Sequence, residues 1–428
     1  MSEKSVHYTN KVTSYVRSKE AKKFVAEELH YHLEQETKGL KDAGLSEQDA
    51  EEKAIQQMGS AERLGQDMNK LHRPRVDWVM IGMIMFISLM GILPTLNVSN
   101  ELYNNADYFT RKIIYLILGA TITIAFMFFD YRRLRSLRWV IFAFTTFILL
   151  ALTLFPNTIL NGAAYFRVAG LTVDSTTAVT AFVLCLVIFL GDANAKFWRI
   201  LPVFAITLYA LMIIPDITAV FVYTVTVTVL LWFRFKRKRK YILWGYLGAA
   251  LFMGLMVTNA QPYQLERIYA FVNPEKYSDT SGYTYLRNEE LLEQGGWFGE
   301  NGGTESIMAP HTDFAFTTIT YNYGWVAGGL LIIIGLFIMV RMIRKIKTIK
   351  DPFGQVIIIG GVTLFSTQFL YNIGMMTGLL PITGMFLPFI SYGLNPTLQT
   401  SIMMGLFLSV YRRKDFVASR EIGGWNKI

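Results

Sequence analysis

About ten apolar blocks in series constrain this chain more than any other feature. They occupy residues 78–96, 113–129, 138–155, 176–191, 197–214, 217–233, 241–258, 314–340, 355–376 and 382–410. A run of roughly 18 or more apolar residues crosses a ~30 Å hydrocarbon core as a helix. One such block is equally well a buried element of a soluble core, but this many in succession is not. The pattern predicts an all-α, polytopic membrane protein of about ten spanning helices. The last block is long and contains Pro388, which predicts a kinked or re-entrant start.

Loop charges test the count. Basic clusters stand at Arg132, Arg133, Arg135 and Arg138, at Lys196 and Arg199, and at Arg234 and 236–240. Two more stand at Arg341, Arg344, Lys345, Lys347 and Lys350, and at Arg412, Arg413 and Lys414. Each follows an even-numbered span, as the positive-inside rule requires when both termini are cytoplasmic. The net charge of +9 is therefore a topology signal and does not point to nucleic acid. A long connection, 259–313, falls on the outer side with 97–111 and 156–175. A loop of ~55 residues among short ones is usually functional, and the spacing of 286–293 predicts a helix within it.

Residues 1–75 are charge-rich and read as a separate cytoplasmic helical domain, with 76–415 the membrane domain and 416–428 a cytoplasmic tail. Phe24, Leu29, Leu33 and Leu40 recur at near-helical spacing. Ser46 followed by Asp49 reads as a helix start, Gly59 as its stop, and 61–71 as a further helix. No signal peptide is read in this polar stretch, so the first span is expected to anchor the chain. The stretch resembles the short helical prefix of permease-like membrane proteins in Firmicutes, which points to a Gram-positive source.

Ionisable groups at the membrane are functional candidates. Asp313 stands where the long loop meets span eight, Asp216 in the turn before span six, and Arg267 just after span seven. Each has a plainer alternative. Asp313 and Asp216 suit helix N-caps, and Arg267 suits head-group contact by a long side chain. His311 alone, with the single cysteine Cys185 inside an apolar block, predicts no metal site. Gly378, Pro381, Gly384, Pro388 and Gly393 interrupt the last pair of spans. Backbone freed there needs protein or a water-filled cavity around it, which implies an outward cavity near Asp313.

Three motifs in this region carry a resemblance: His311-Thr312-Asp313-Phe314; Asn372-Ile373-Gly374 with Leu380-Pro381-Ile382-Thr383-Gly384; and Leu387-Pro388-Phe389-Ile390-Ser391-Tyr392-Gly393. Tyr263-Gln264 with Arg267-Ile268, Gly282-Tyr283, Gly295-Gly296-Trp297-Phe298-Gly299 and Pro215-Asp216 add to it. Over residues 78–415 the chain resembles the SEDS family (shape, elongation, division and sporulation). That resemblance implies a glycosyltransferase polymerising lipid II at the outer face of the cytoplasmic membrane. It serves cell shape, division or sporulation, usually with a class B penicillin-binding protein. It also implies that Asp313 is the catalytic carboxylate, acting as general base, and that Arg267, His311, Thr312, Asp216, Tyr263, Gln264, Ser391 and Tyr392 bind substrate. No cofactor is named, and a divalent cation is left open.

The chain departs from the family pattern around these motifs. A Gly-Ala-x-Arg-Trp motif, then Gln-Pro-Ser-Glu and a lysine, is usual after span three. Here the chain reads Gly162-Ala163-Ala164-Tyr165-Phe166-Arg167, then Val173-Asp174-Ser175-Thr176-Thr177. Arg167 and Asp174 stand nearby at shifted positions. The acid usually found before the His-Thr-Asp-Phe motif is absent from Met308-Ala309-Pro310, and the paired acids after it are Tyr321-Asn322. These changes keep two alternatives open: a non-catalytic relative that binds a lipid-linked precursor or partner, and a flippase of that precursor.

Overall fold

The computed structural model describes residues 3–96, 105–155, 158–160, 163–168, 171–192, 195–213, 216–246, 266, 269–300 and 310–415. The chain forms two compact units. One comprises 1–77, 347–355 and 410–428, and the other 78–346 and 356–409.

The first unit holds α1 (Glu3–Ser14), α2 (Lys19–Asp42), α3 (Glu47–Met58) and α4 (Ala61–Leu71). Their starts follow from capping chemistry. The Ser18 and Ser46 side chains accept from Ala21 N and Asp49 N, satisfying amides that have no partner inside the helix. Gly59 ends α3 at φ 78°, a conformation costly for residues with a Cβ. Phe24, Leu29 and Leu33 are buried as their spacing requires, in one core with Val12, Val16, Val25 and Ala54, while Leu40 packs at the margin. Each fully buried Leu or Val contributes roughly 1.5–3 kcal/mol.

The same unit contains the end of the last spanning helix. Arg413 is 2% exposed and donates to Glu20 Oε1 at 2.7 Å. His72 Nδ1 lies 3.1 Å from Asp415 O, and Arg75 N donates to Arg412 O. A buried guanidinium is tolerated only when paired. Glu20→Gln weakens the pair by about 1.5–2 kcal/mol, less than a fully buried bridge because Glu20 is over one-third exposed. Amides of α2 are then expected to exchange roughly 10- to 30-fold faster, read by hydrogen–deuterium exchange. Unchanged protection would remove Glu20 from that role.

The second unit is built from α5 (Trp78–Met90), α6 (Leu93–Leu96), α7 (Asn105–Phe128), α8 (Arg138–Leu154), α9 (Ser175–Leu190), α10 (Phe197–Ile213), α11 (Ile217–Arg234) and α12 (Lys236–Tyr246). After the long loop's own helix, α13 (Tyr283–Gln294), come α14 (Ala315–Ile346), α15 (Pro352–Met376) and α16 (Leu394–Arg412). Among the described residues, four segments are by themselves long and apolar enough to cross a bilayer: Trp78–Leu96, Tyr108–Phe128, Ala315–Ile346 and Pro352–Met376. α11 and α12 pass together but are bent by 113°, and the helices at 138–152, 175–190 and 197–209 are apolar and shorter. Every apolar block of the sequence thus contains helix in the described residues, although span seven is described only to Tyr246 and the last block is helical only from Leu394. The protein is an all-α polytopic membrane protein. Phe86, Ile117, Phe147 and Ile333 are 45–67% exposed. Such an apolar surface is ruinous in water and ordinary against lipid.

Two details differ from the sequence reading, and a third, the broken last span, follows it. The loop 156–175 contains a small antiparallel sheet, with Thr158–Leu160, Ala163–Val168 and Leu171–Val173 paired in chain order. Span eight is not continuous, because Gly324 breaks α14 at φ 78°. A Cβ there would lie 2.1 Å from Trp297 O, so the Gly295–Gly299 segment fits against α14 only where a side chain is missing. Three backbone bonds fix that seam: Glu300 N to Tyr321 O, Trp325 N to Gly296 O, and Val326 N to Trp297 O. Finally, the last span is helical only from Leu394, and 377–393 is a non-helical segment, as Pro388 and the glycines foretold.

Candidate functional site

The non-helical segment 377–393 is tied to the turn 310–314 by two direct hydrogen bonds and by a bridge through Asn372. Tyr392 N donates to His311 O at 2.7 Å, and Ser391 Oγ donates to Thr312 O at 2.7 Å. Ser391 Oγ also accepts from Leu387 N at 2.8 Å. Asn372, fully buried on α15, donates through Nδ2 to Asp313 O at 3.0 Å and Met385 O at 2.6 Å. Both motifs therefore form one structure whose polar backbone is satisfied by side chains. Phe389, at φ 68°, is the non-glycine residue with positive φ in this segment. Such strain persists only where surrounding contacts enforce it.

One of those contacts comes from a residue that the sequence reading passed over. Lys112, on α7, is 1% exposed. Its Nζ donates to Ile390 O at 2.8 Å and Ser391 O at 3.2 Å, directly after the strained residue. Gly91, between α5 and α6, closes the other side, since a Cβ there would lie 2.6 Å from Phe389 O. The available signal was a lysine at the edge of an apolar span, which is a functional candidate by default.

The side chains of the His311 motif then divide by role. The His311 ring is buried beside Tyr108 and Tyr392, with centroids 4.7 and 5.3 Å away. Burial, with the Lys112 charge adding, lowers its pKa to about 4, so the imidazole is neutral at neutral pH. Thr312 and Asp313 are half-buried. Burial and the charge of Asp216 push the Asp313 carboxyl up to about 6. α14 begins at Ala315, and among the described residues Asp313 makes no side-chain cap bond to it. Gly384 faces the carboxylate, where a Cβ would be 4.0 Å from Oδ2. Asp313 is thus a carboxylate in a protein-lined site, raised toward the range of a general base.

Asp216 does cap its helix, accepting from Ala219 N at 3.0 Å and from the Ser175 hydroxyl. Asp174 caps α9 through Thr177 N at 2.8 Å. Two helix N-termini and their capping acids thus lie on the Asp216 side of Asp313. Arg267, Tyr263 and Gln264 lie outside the described residues. His311, Thr312, Asp313, Ser391 and Tyr392 are brought together, and Asp216 acts on Asp313 through its charge. Among the described residues no group of three or more His, Cys, Asp or Glu is placed to hold a metal.

Lys112→Met would leave two buried carbonyls without their donor, at a cost of about 2–3 kcal/mol. A lower melting temperature in detergent and faster proteolysis within 377–393 are the expected results. A variant that matched the wild type in both would show that Lys112 does not hold the segment.

Comparison with known proteins bears on this geometry. Residues 74–415 match the profile of a family of cell cycle proteins, that of FtsW, RodA and SpoVE. A probable peptidoglycan glycosyltransferase FtsW of Trichlorobacter lovleyi is 26% identical over 359 residues, covering 78% of this chain and 92% of the relative. Stage V sporulation protein E of Bacillus subtilis is 29% identical over 177 residues, 40% of this chain and 48% of that protein. Among solved structures, a chain of a peptidoglycan synthase complex that coordinates polymerization and crosslinking superposes with a TM-score of 0.67. It is 22% identical and covers 79% of this chain and 98% of its own. The rod shape determining protein RodA of Thermus thermophilus superposes with a TM-score of 0.59 at 20% identity, over 79% of this chain and 97% of its own.

Proposed function

Because the chain belongs to the FtsW, RodA and SpoVE family of cell cycle proteins, we propose that it is a peptidoglycan glycosyltransferase of the cytoplasmic membrane. Its substrate in this reading is lipid II, and Asp313 is the general base. The observation that carries the proposal is the half-buried, raised carboxylate of Asp313, held by a built segment rather than spent on a helix cap. A sugar hydroxyl of one substrate attacks the anomeric carbon of another. A new glycosidic C–O bond forms, the bond to the lipid pyrophosphate breaks, and the hydroxyl proton passes to Asp313. The pyrophosphate carries the negative charge away and calls for cationic or backbone donors, for which Arg267 is the candidate. Neutral His311, Thr312, Ser391 and Tyr392 shape the site beside the base. The loop charges favour cytoplasmic termini and an outward-facing site. A class B penicillin-binding protein is the partner that the family resemblance implies, and the fold is similar to a chain of a peptidoglycan synthase complex. The N-terminal unit's likeness to a Firmicutes prefix suggests a Gram-positive envelope.

The purified protein, with its transpeptidase partner, should convert labelled lipid II to glycan strands. Asp313→Asn should lower the rate at least 100-fold with the fold intact by circular dichroism. A wild type that is inert beside an active relative under the same conditions would favour a non-catalytic, precursor-binding role. Lipid II crossing vesicles without polymer would mark a flippase.

The pH profile gives a second check. A carboxyl raised to about 6 is an effective base only above that pH, so activity should climb as pH rises through about 6 and then level. Asp216→Asn keeps a good N-cap but removes the charge that raises Asp313. The acid limb should then move to lower pH. A limb that stays in place would separate Asp216 from the titration.

A further inference from the structure

The first unit carries a cleft of about 350 Å³ lined by Arg17, Ser18, Asn69, Arg73, Pro74 and Arg412. Three arginines line it, and no acidic residue is among the lining residues. Arg17 and Arg73 are exposed and Arg412 is half-buried. Glu20 bridges Arg412 at 3.9 Å from Nη2 and is engaged at 2.7 Å by Arg413. The rim is fixed by backbone: Arg17 N donates to Asn69 Oδ1 at 3.0 Å, joining the α1–α2 turn to α4. Guanidinium groups with amide and hydroxyl neighbours are the chemistry that recognises phosphate.

Chain connectivity decides which phosphate. Arg412 is the last residue of α16. Arg73 precedes by five residues Trp78, the 74% exposed tryptophan that opens the first span. Five residues reach at most about 17 Å, and tryptophan favours the head-group level. Two of the three arginines are thus tethered to the membrane boundary by separate spans. We propose that this cleft binds the phosphate of an anionic phospholipid head group. The inner leaflet follows from the orientation proposed above; the binding itself does not depend on the polymerase reading. The N-terminal unit is then a lipid-reading element fastened to the two ends of the membrane domain's chain.

The test uses the full-length protein in mixed phosphatidylglycerol and phosphatidylcholine nanodiscs, with the lipids retained after extraction counted by native mass spectrometry. Arg17→Glu with Arg73→Glu changes two exposed side chains. Lys23→Glu with Lys38→Glu makes the same charge change outside the cleft. Retained phosphatidylglycerol should fall at least fivefold in the arginine variant and stay near the wild-type level in the lysine variant. Equal losses in both variants would mean a diffuse surface charge and overturn the cleft. Equal retention of phosphatidylcholine, or displacement by excess inorganic phosphate, would overturn a lipid head group as its occupant. No polymerisation is read, so an inactive enzyme would leave the result interpretable.

Discussion

Hydrocarbon offers no hydrogen bonds, so a spanning segment can abandon the helix only where other protein groups take over its backbone partners. The segment 377–393 is such a place. Asn372 and Ser391 answer its amides and carbonyls together with those of the turn 310–314, and Lys112 Nζ donates to the carbonyls after Phe389. The position of Asp313 depends on this exchange. Its own backbone carbonyl is one of the acceptors satisfied, and its neighbours Thr312 and His311 are held by the others.

The same constraint explains what the sequence disclosed. Spans are legible because length and apolarity are local properties, and because basic loops mark one side of the membrane. The broken final span was legible too, since Gly and Pro declare themselves at Gly378, Pro381, Gly384 and Pro388. The helix in the long loop, read at 286–293, is Tyr283–Gln294. Lys112 was not legible. Its partners lie almost 280 residues away and are backbone carbonyls, which have no sequence signature. The break at Gly324 was hidden for a related reason, because the carbonyl that forbids a side chain there belongs to Trp297 in another motif. The short sheet at 158–173 has strands of three and six residues, too brief for alternation to stand out.

The acids illustrate why position alone decides little. Asp174, Asp216 and Asp313 all stand just before an apolar helix, and each suits an N-cap. Two of them serve as caps, with their charge spent on helix amides. The third stands one residue too early, with Phe314 between it and the first residue of α14. That single-residue offset leaves a carboxylate that the helix cap does not consume. It also turns a neighbouring cap into an electrostatic influence on it.

Asn372 grips Asp313 and Met385 with the two hydrogens of one amide nitrogen. It works as a yoke. A displacement of α15 cannot be absorbed by one strand of backbone while the other stays behind. The carboxylate-bearing turn and the floor beneath it must travel together. A signal reaching α15 from elsewhere in the membrane would therefore shift the site as a unit and preserve its internal spacing. Such a signal would change the site's placement against a substrate held by other helices.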